Sequence, residues 1–300
     1  MNLFIQKKGE KGISRLATSK FQPFRLNRLK IAKMETKMKS VDEIRKMVAN
    51  FPKVTKEELL KNAENKDPAQ AIRNAYDFFL EKATADNIRF SHAKFDPSLL
   101  EDFIGFLPAG GNVLDIGCGY CREVKYFSDL NFNAYGVDIS QRDLTLVEEV
   151  FPNLKLYCGD FRDFLKKPPV KFDGIYENLM LMYLPKKEIE EALPLILENL
   201  NPGGVFQASF EKNRGSDRTG WEMVPVSGEI RGIPGSCLAQ AVYLSYFFPD
   251  ELENTLVKAG FKIVKLFVGK QSGVAREVIT VICRKKRRWI SELFHFNSNL

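Results

Sequence analysis

The sequence predicts an α/β protein with a seven-stranded, mostly parallel sheet. Two observations carry that prediction: short apolar strands alternate with helical stretches from residue 112 onward, and the last two strands lie too close for a crossover. The strands are expected at Asn112–Ile116, Ala134–Val137, Lys155–Cys158, Gly174–Tyr176, Val205–Ser209, Lys262–Val268 and Val278–Cys283. The helices are expected near Cys121–Leu130, Gln141–Phe151, Lys187–Leu200 and Pro249–Ala259, so that most strand pairs are joined by a helix and run parallel. The closing pair is separated only by the polar stretch Gly269–Gly273, which predicts an antiparallel C-terminal hairpin.

Upstream of this region the chain reads as helical. Ser40-Val-Asp-Glu43 and Thr55-Lys-Glu-Glu58 match the capping box, and Pro68–Ala83 opens with proline in a first turn, where its missing N–H costs nothing. Another helix is expected over Pro97–Phe106. The organisation is therefore a basic leader over 1–39, a helical cap over 40–107, a sheet domain over 108–286 and a tail over 287–300.

Charge is unevenly distributed. Residues 1–40 contain eleven Lys and Arg against Glu10 and Glu35, a balance of +9, whereas the whole chain carries +7; the remaining 260 residues therefore carry −2. A nucleic-acid face needs basic charge on the folded body, which is absent here. The leader reads either as a disordered or upstream segment or as a transit peptide, so the expected compartment is cytoplasmic, or an organelle if the leader targets. The basic run Arg284-Lys-Lys-Arg-Arg288 reads as a solvated strand end, with membrane-surface or nucleic-acid attachment as alternatives. No apolar run approaches the roughly 18 residues of a membrane span. Five scattered cysteines do not form a disulfide framework, and two histidines, His92 and His295, leave little for a metal site; none is expected.

The chemistry-bearing segment is Val113-Leu-Asp115-Ile-Gly117-Cys118-Gly119-Tyr-Cys-Arg122. A strand runs into a glycine turn and then a helix, whose free amides present themselves to an anion. Glycines at 117 and 119 permit positive φ and close backbone approach to a ligand. Asp115, Asp138 and Asp160 close three successive strands, so all three fall at the carboxyl edge where open α/β sheets bind ligands. Asp115 is expected to face a positive group, and Asp138, about 20 residues on, to receive ribose hydroxyls.

With these residues in view the sequence resembles the class I S-adenosylmethionine-dependent methyltransferases, over roughly Ala75 to Lys286. The carriers are Val113–Gly119, Gly136-Val-Asp138-Ile139-Ser140, Gly159-Asp160-Phe161, Phe172-Asp-Gly-Ile-Tyr176, Leu200-Asn-Pro-Gly-Gly204 and Glu251-Leu followed by Ala259-Gly-Phe261. The resemblance implies a Rossmann-like fold and S-adenosylmethionine as cofactor. It places Asp115, Gly117, Cys118 and Gly119 at the methionine end, Asp138 and Ile139 at the ribose, Asp160 and Phe161 at the adenine, and Glu177 beside the cofactor. Tyr76, in Asn74-Ala-Tyr-Asp77, is similar to the segment that small-molecule members place over the cofactor.

Two departures matter. Cys121 stands where the family often has a third glycine, which the helix tolerates if the backbone there is not left-handed. Tyr183-Leu-Pro185 replaces a histidine-containing segment, which removes one candidate base. Cys118-x-x-Cys121 has no second pair nearby to complete a metal site. Catalytic residues carry no motif of their own, since methyl transfer needs positioning more than proton chemistry.

The acceptor surface is expected from Tyr183 and from the glycine- and proline-containing insertion 211–246, read as a lid, with Trp221, Tyr243 and Tyr246 as contacts. A surface loop whose aromatics pack on the sheet is the alternative. The leading function is methylation of a small molecule. The rivals are an RNA or protein methyltransferase, a nicotinamide-dependent oxidoreductase and a non-catalytic binding protein. Against the nucleic-acid reading, Tyr176-Glu-Asn-Leu179 lacks the Asn/Asp-Pro-Pro-aromatic pattern of amino-methylating nucleic-acid enzymes.

Overall fold

In a computed structural model of the chain, β1 (Asn112–Ile116) sits near the middle of the sheet, one residue after the turn at Gly111. The described residues are 67, 68, 70–73, 84–225, 239–271, 274 and 276–285. The leader 1–39, both capping boxes, Tyr76, the lid's tip over 226–238, Cys237 and the tail 287–300 lie outside them.

Ahead of β1 come α1 (Ala85–Ala93), a 3-10 turn over Pro97–Leu100 and α2 (Glu101–Ile104). The single helix expected over Pro97–Phe106 is thus split in two. Asp96 accepts from the amide of Ser98 and starts the tighter turn. After β1 follow α3 (Arg122–Asp129), β2 (Asn133–Asp138), α4 (Gln141–Val150), β3 (Lys155–Cys158), α5 (Phe161–Lys166) and β4 (Phe172–Glu177). A 3-10 turn over Leu181–Tyr183 leads to α6 (Lys186–Asn199) and β5 (Leu200–Glu211). Then come β6 (Gly220–Pro225), β7 (Ala239–Leu244), α7 (Pro249–Lys258), β8 (Phe261–Lys270) and β9 (Glu277–Lys285).

The sheet order is β3-β2-β1-β4-β5-β9-β8. All pairs are parallel except β5 with β9 and β9 with β8. The expected closing hairpin is therefore present, and every expected strand is found, most of them a residue or more longer. Side-chain alternation explains why both faces are covered. Leu114 and Ile116 of β1 and Ile175 of β4 join one core with Leu165 of α5, Ile189 and Ile196 of α6 and Leu252 of α7. Val113 and Tyr176 turn the other way, to Val124 and Phe127 of α3, Leu144 and Val147 of α4 and Phe103 of α2.

The insertion contains regular structure that its composition did not reveal. β6 and β7 form a separate antiparallel ribbon, pairing Trp221 with Tyr243. Their rings meet edge to face at 5.8 Å, a cross-strand aromatic pair. Where the chain leaves β7, Ser245 donates its amide to the carbonyl of Met182 (2.7 Å) and its hydroxyl to that of Leu184 (2.7 Å). The ribbon is thereby tied to the turn after β4.

Candidate functional site

β1, β2, β3 and β4 all end at one edge of the sheet, and a cleft of about 760 Å3, open mouth included, lies across those ends. That is the usual place of a ligand pocket in an open α/β sheet. It is lined by Gly117 and Gly119 after β1, by Val137, Asp138 and Ile139 at β2, and by Gly159, Asp160 and Phe161 after β3. The far side is Asn178, Leu179, Met180, Tyr183 and Leu184 after β4, with Ile72 from the N-terminal side.

The loop after β1 is built on β2. The amides of Gly117 and Cys118 donate to the carbonyl of Val137, and the Gly119 amide donates to Asp138 Oδ2 at 2.8 Å. Asp138 Oδ1 accepts from the Ser140 amide, also at 2.8 Å. Burial pushes the Asp138 carboxyl above its ordinary range, while the amides of Ser140, Gly119 and Ile139 pull against that shift. Asp138 thus holds the loop and faces the cleft at once.

The two glycines differ in what makes them glycine. Gly119 has φ +48° and no heavy atom within 4 Å of the place a Cβ would occupy, so a side chain there would stand in the cleft. At Gly117 (φ +73°) a Cβ would fall 2.3 Å from Met180 Cγ, so that position is closed by packing as well as facing the cleft.

Cys121 departs from expectation. Its φ is +55°, left-handed, although tolerance of a cysteine rested on the backbone not being so. Burial compensates: Cys121 is fully buried, its amide donates to the carbonyl of Cys118, and its thiol lies 3.5 Å from that of Cys118. Packing and the tight turn force a conformation that costs about 1–2 kcal/mol for a residue with a Cβ.

Other site residues are placed differently from the expectation. Asp115 is 3% exposed and does not line the cleft. Its Oδ2 has no hydrogen-bond partner, and instead of a cation its surroundings are largely acidic. Desolvation, then Glu123 and Asp138, push its carboxyl well above the ordinary range, with Arg122 opposing them. Cys118 is buried beneath the loop.

Glu177, expected beside the cofactor, does not line the cleft. Fully buried, it accepts from the amides of Met180 (3.0 Å) and Leu181 (3.2 Å) through Oε2 and of Ser209 (2.8 Å) through Oε1. It shapes the strained turn at Leu179 (φ +61°) that the cleft uses as a wall. Desolvation raises its pKa to about 7 against the three amides. A raised carboxyl stabilises the fold below its unfolded value of about 4.5 and loses that contribution as pH rises through about 7. Thermal melts are accordingly expected to lose stability across that window. In Glu177→Gln the slope should become shallower, at a cost of about 1–3 kcal/mol, because an NH2 must face a backbone N–H. A wild-type melting temperature independent of pH from 4.5 to 7 would contradict this.

Asp160 lines the cleft but is also the N-cap of α5, accepting from the Arg162 amide at 2.8 Å. Burial pushes its carboxyl up, yet the Arg162 guanidinium, shared with Glu188, holds it below the ordinary value. Tyr183, expected on the acceptor side, lines the cleft. Tyr246 is 1% exposed, its ring covered by the Arg276 guanidinium at 4.4 Å and its hydroxyl 3.2 Å from Glu222. Tyr246 is packed into the body, and Trp221 and Tyr243 lie on the ribbon; none of the three lines the cleft. No motif marks Ile72, Leu179, Met180 and Leu184, which are ordinary residues brought in by the turn after β4 and by the N-terminal side.

A family model described as a methyltransferase domain matches residues 113–204, the stretch from β1 into β5 that builds the cleft. Residues 113–204 carry a methyltransferase domain. The fold agrees: an S-adenosylmethionine-dependent methyltransferase from Clostridium acetobutylicum superposes with a TM-score of 0.52 at 18% identity, over 72% of this chain and 99% of that one. Among curated proteins, a dTDP-3-amino-3,4,6-trideoxy-alpha-D-glucopyranose N,N-dimethyltransferase of Streptomyces venezuelae is 29% identical over 100 residues, 33% of this chain and 41% of that protein. A 2-methyl-6-phytyl-1,4-hydroquinone methyltransferase of Synechocystis sp. is 26% identical over 53% of this chain and 56% of that protein. The chain thus spans about half the length of these relatives. Among the described residues no helix is long and apolar enough to cross a membrane.

Proposed function

We propose that the protein is an S-adenosylmethionine-dependent methyltransferase that acts on a small molecule. The observation that carries this reading is the open cradle at Gly119, where a Cβ would protrude into the cleft beside Asp138. The residues present fit the cofactor. Gly117 and Gly119 would hold its methionine end, Asp138 and Ile139 its ribose, and Asp160 and Phe161 its adenine. Asp115 is buried beneath the loop with one oxygen unpartnered, and a cationic amine at the methionine end would favour its charged form. Bound there, S-adenosylmethionine supplies an electrophilic methyl group on a sulfonium.

What the chain itself contributes is position and dryness. The titratable side chains lining the cleft are Asp138, Asp160 and Tyr183, and both carboxylates are already committed to backbone amides. Among the described residues, no histidine, cysteine or lysine lines it. An acceptor that already carries a free lone pair needs no base there. Ile72, Leu179, Met180 and Leu184 exclude water, and the approach is fixed by shape. Both curated relatives are named for small-molecule substrates, and the body outside the leader carries a net −2, which favours a small acceptor over RNA. The antiparallel β9 between β5 and β8 departs from the order typical of nicotinamide-binding folds.

Thermal-shift titration with S-adenosylhomocysteine should stabilise the protein, whereas NAD should not; the reverse result would overturn the cofactor assignment. Labelled methyl donor with cell extract, sorted by acceptor size, should mark small molecules. Label confined to RNA or protein would sink the small-molecule reading. Gly119→Ala should keep the fold, at a cost of about 1–2 kcal/mol for left-handed backbone, yet bind S-adenosylhomocysteine at least tenfold more weakly by calorimetry. Unchanged affinity would remove the cradle from the site.

A further inference from the structure

Resting on the methyltransferase reading, we propose that His92 is a positioning residue for the cofactor. It pins the peptide between Tyr120 and Cys121 and so keeps the loop after β1 in the shape that opens Gly119 to the cleft. His92 lies in α1, and its Nε2 is 2.7 Å from the carbonyl oxygen of Tyr120, 28 residues on. A carbonyl only accepts, so Nε2 carries the proton and donates. Burial lowers the His92 pKa, with the Tyr120 carbonyl opposing, so at neutral pH the ring is uncharged and Nδ1 is bare. The ring packs on that of Phe151, just beyond α4, at 4.6 Å between centroids, which fixes where the donor points.

The peptide that His92 holds is the strained one. The Tyr120 carbonyl and the Cys121 amide share one rigid plane, and Cys121 continues from it at φ +55°, in the left-handed region. The amide side is held by the Cys118 carbonyl at 2.7 Å, and the carbonyl side by His92. Rotating the plane to relieve Cys121 would break both bonds. One hydrogen bond is comparable in size to the cost of a left-handed residue with a Cβ, so losing the His92 bond shifts the balance toward relaxation. Gly119 precedes that peptide by one residue. Its own φ of +48° and its amide bond to Asp138 depend on where the plane leaves the chain.

The test measures S-adenosylhomocysteine affinity of the full chain by calorimetry, in single variants and in a Cys121→Gly background. His92→Leu, which keeps bulk but no donor, should weaken binding about tenfold. His92→Gln, whose amide N–H takes the place of the Nε2–H, should bind within about threefold of wild type. Glycine enters the left-handed region without steric cost, so in the Cys121→Gly background His92→Leu should weaken binding by less than about threefold. A role confined to packing predicts the same loss in both backgrounds and no rescue by glutamine. Either result would overturn the proposal, as would wild-type affinity in His92→Leu. The nitrogen NMR spectrum of the ligand-free wild type should show His92 protonated at Nε2 and bare at Nδ1. The opposite tautomer would remove the donor, whether or not the leucine variant folds. Calorimetry on the wild type reports the cofactor reading separately, and an absence of binding there would sink that reading. The loop amides in ligand-free spectra would still decide the role of His92. Gly119 and Tyr120 should each give one signal in wild type and His92→Gln, and several or broadened ones in His92→Leu; single, sharp signals in the leucine variant would overturn it.

Discussion

Asp138→Asn is expected to fold and to bind S-adenosylhomocysteine at least a hundredfold more weakly. The carboxylate ends β2 with both oxygens in use, Oδ2 taking the Gly119 amide and Oδ1 the Ser140 amide. Asparagine keeps one acceptor oxygen and turns an NH2 toward one of those N–H groups. The loop over β1 then loosens while the proposed ribose contact loses its charge. Hydrogen bonds to a charged group contribute about 1.5–3 kcal/mol each, roughly one to two decades of affinity, and two are disturbed. The wild-type carboxyl is raised by burial, so binding should also weaken on acidification before an ordinary carboxylate would protonate. Isothermal titration across pH measures both effects. An affinity within threefold of wild type would remove Asp138 from the cofactor site.

Gly117→Ala should have the largest effect on stability, about 2–5 kcal/mol. Left-handed backbone with a Cβ accounts for about 1–2 kcal/mol of this, and overpacking for about 1–3 kcal/mol. The overpacking is not relieved by a new rotamer. The added methyl would stand 2.6 Å from Met180 Cβ as well as 2.3 Å from Cγ, and the Met180 amide is held by Glu177. Relief requires moving the backbone of the turn after β4. For a domain of this size the melting temperature should fall by on the order of 10 °C. A shift no larger than that of Gly119→Ala would mean that Met180 does not rest on Gly117.

The contrast between these neighbouring glycines shows how far local sequence reaches. Both were legible as turn glycines after an apolar strand, because a strand, a glycine pair and a helix start are written within ten residues. Which glycine is open and which is packed depends on Met180, more than sixty residues later. The same limit applies to the acids. Asp115, Asp138 and Asp160 were correctly placed at three strand ends by periodicity, yet only Asp138 and Asp160 line the cleft. Where a carboxylate turns is set by the nearest donors, and for Glu177 those are amides of its own turn and of Ser209 on the next strand.

The sequence by itself determined the alternation of strands and helices, the antiparallel close of the sheet and the edge at which ligands collect. These follow from side-chain period and connection length, which are local quantities. Tertiary structure alone decided the left-handed Cys121, the ribbon inside the insertion and the apolar wall after β4. It also decided the meeting of His92 with the Tyr120 carbonyl. Each of these depends on contacts between residues far apart in the chain, or on burial strong enough to hold an unfavourable backbone, and neither leaves a periodic trace in composition.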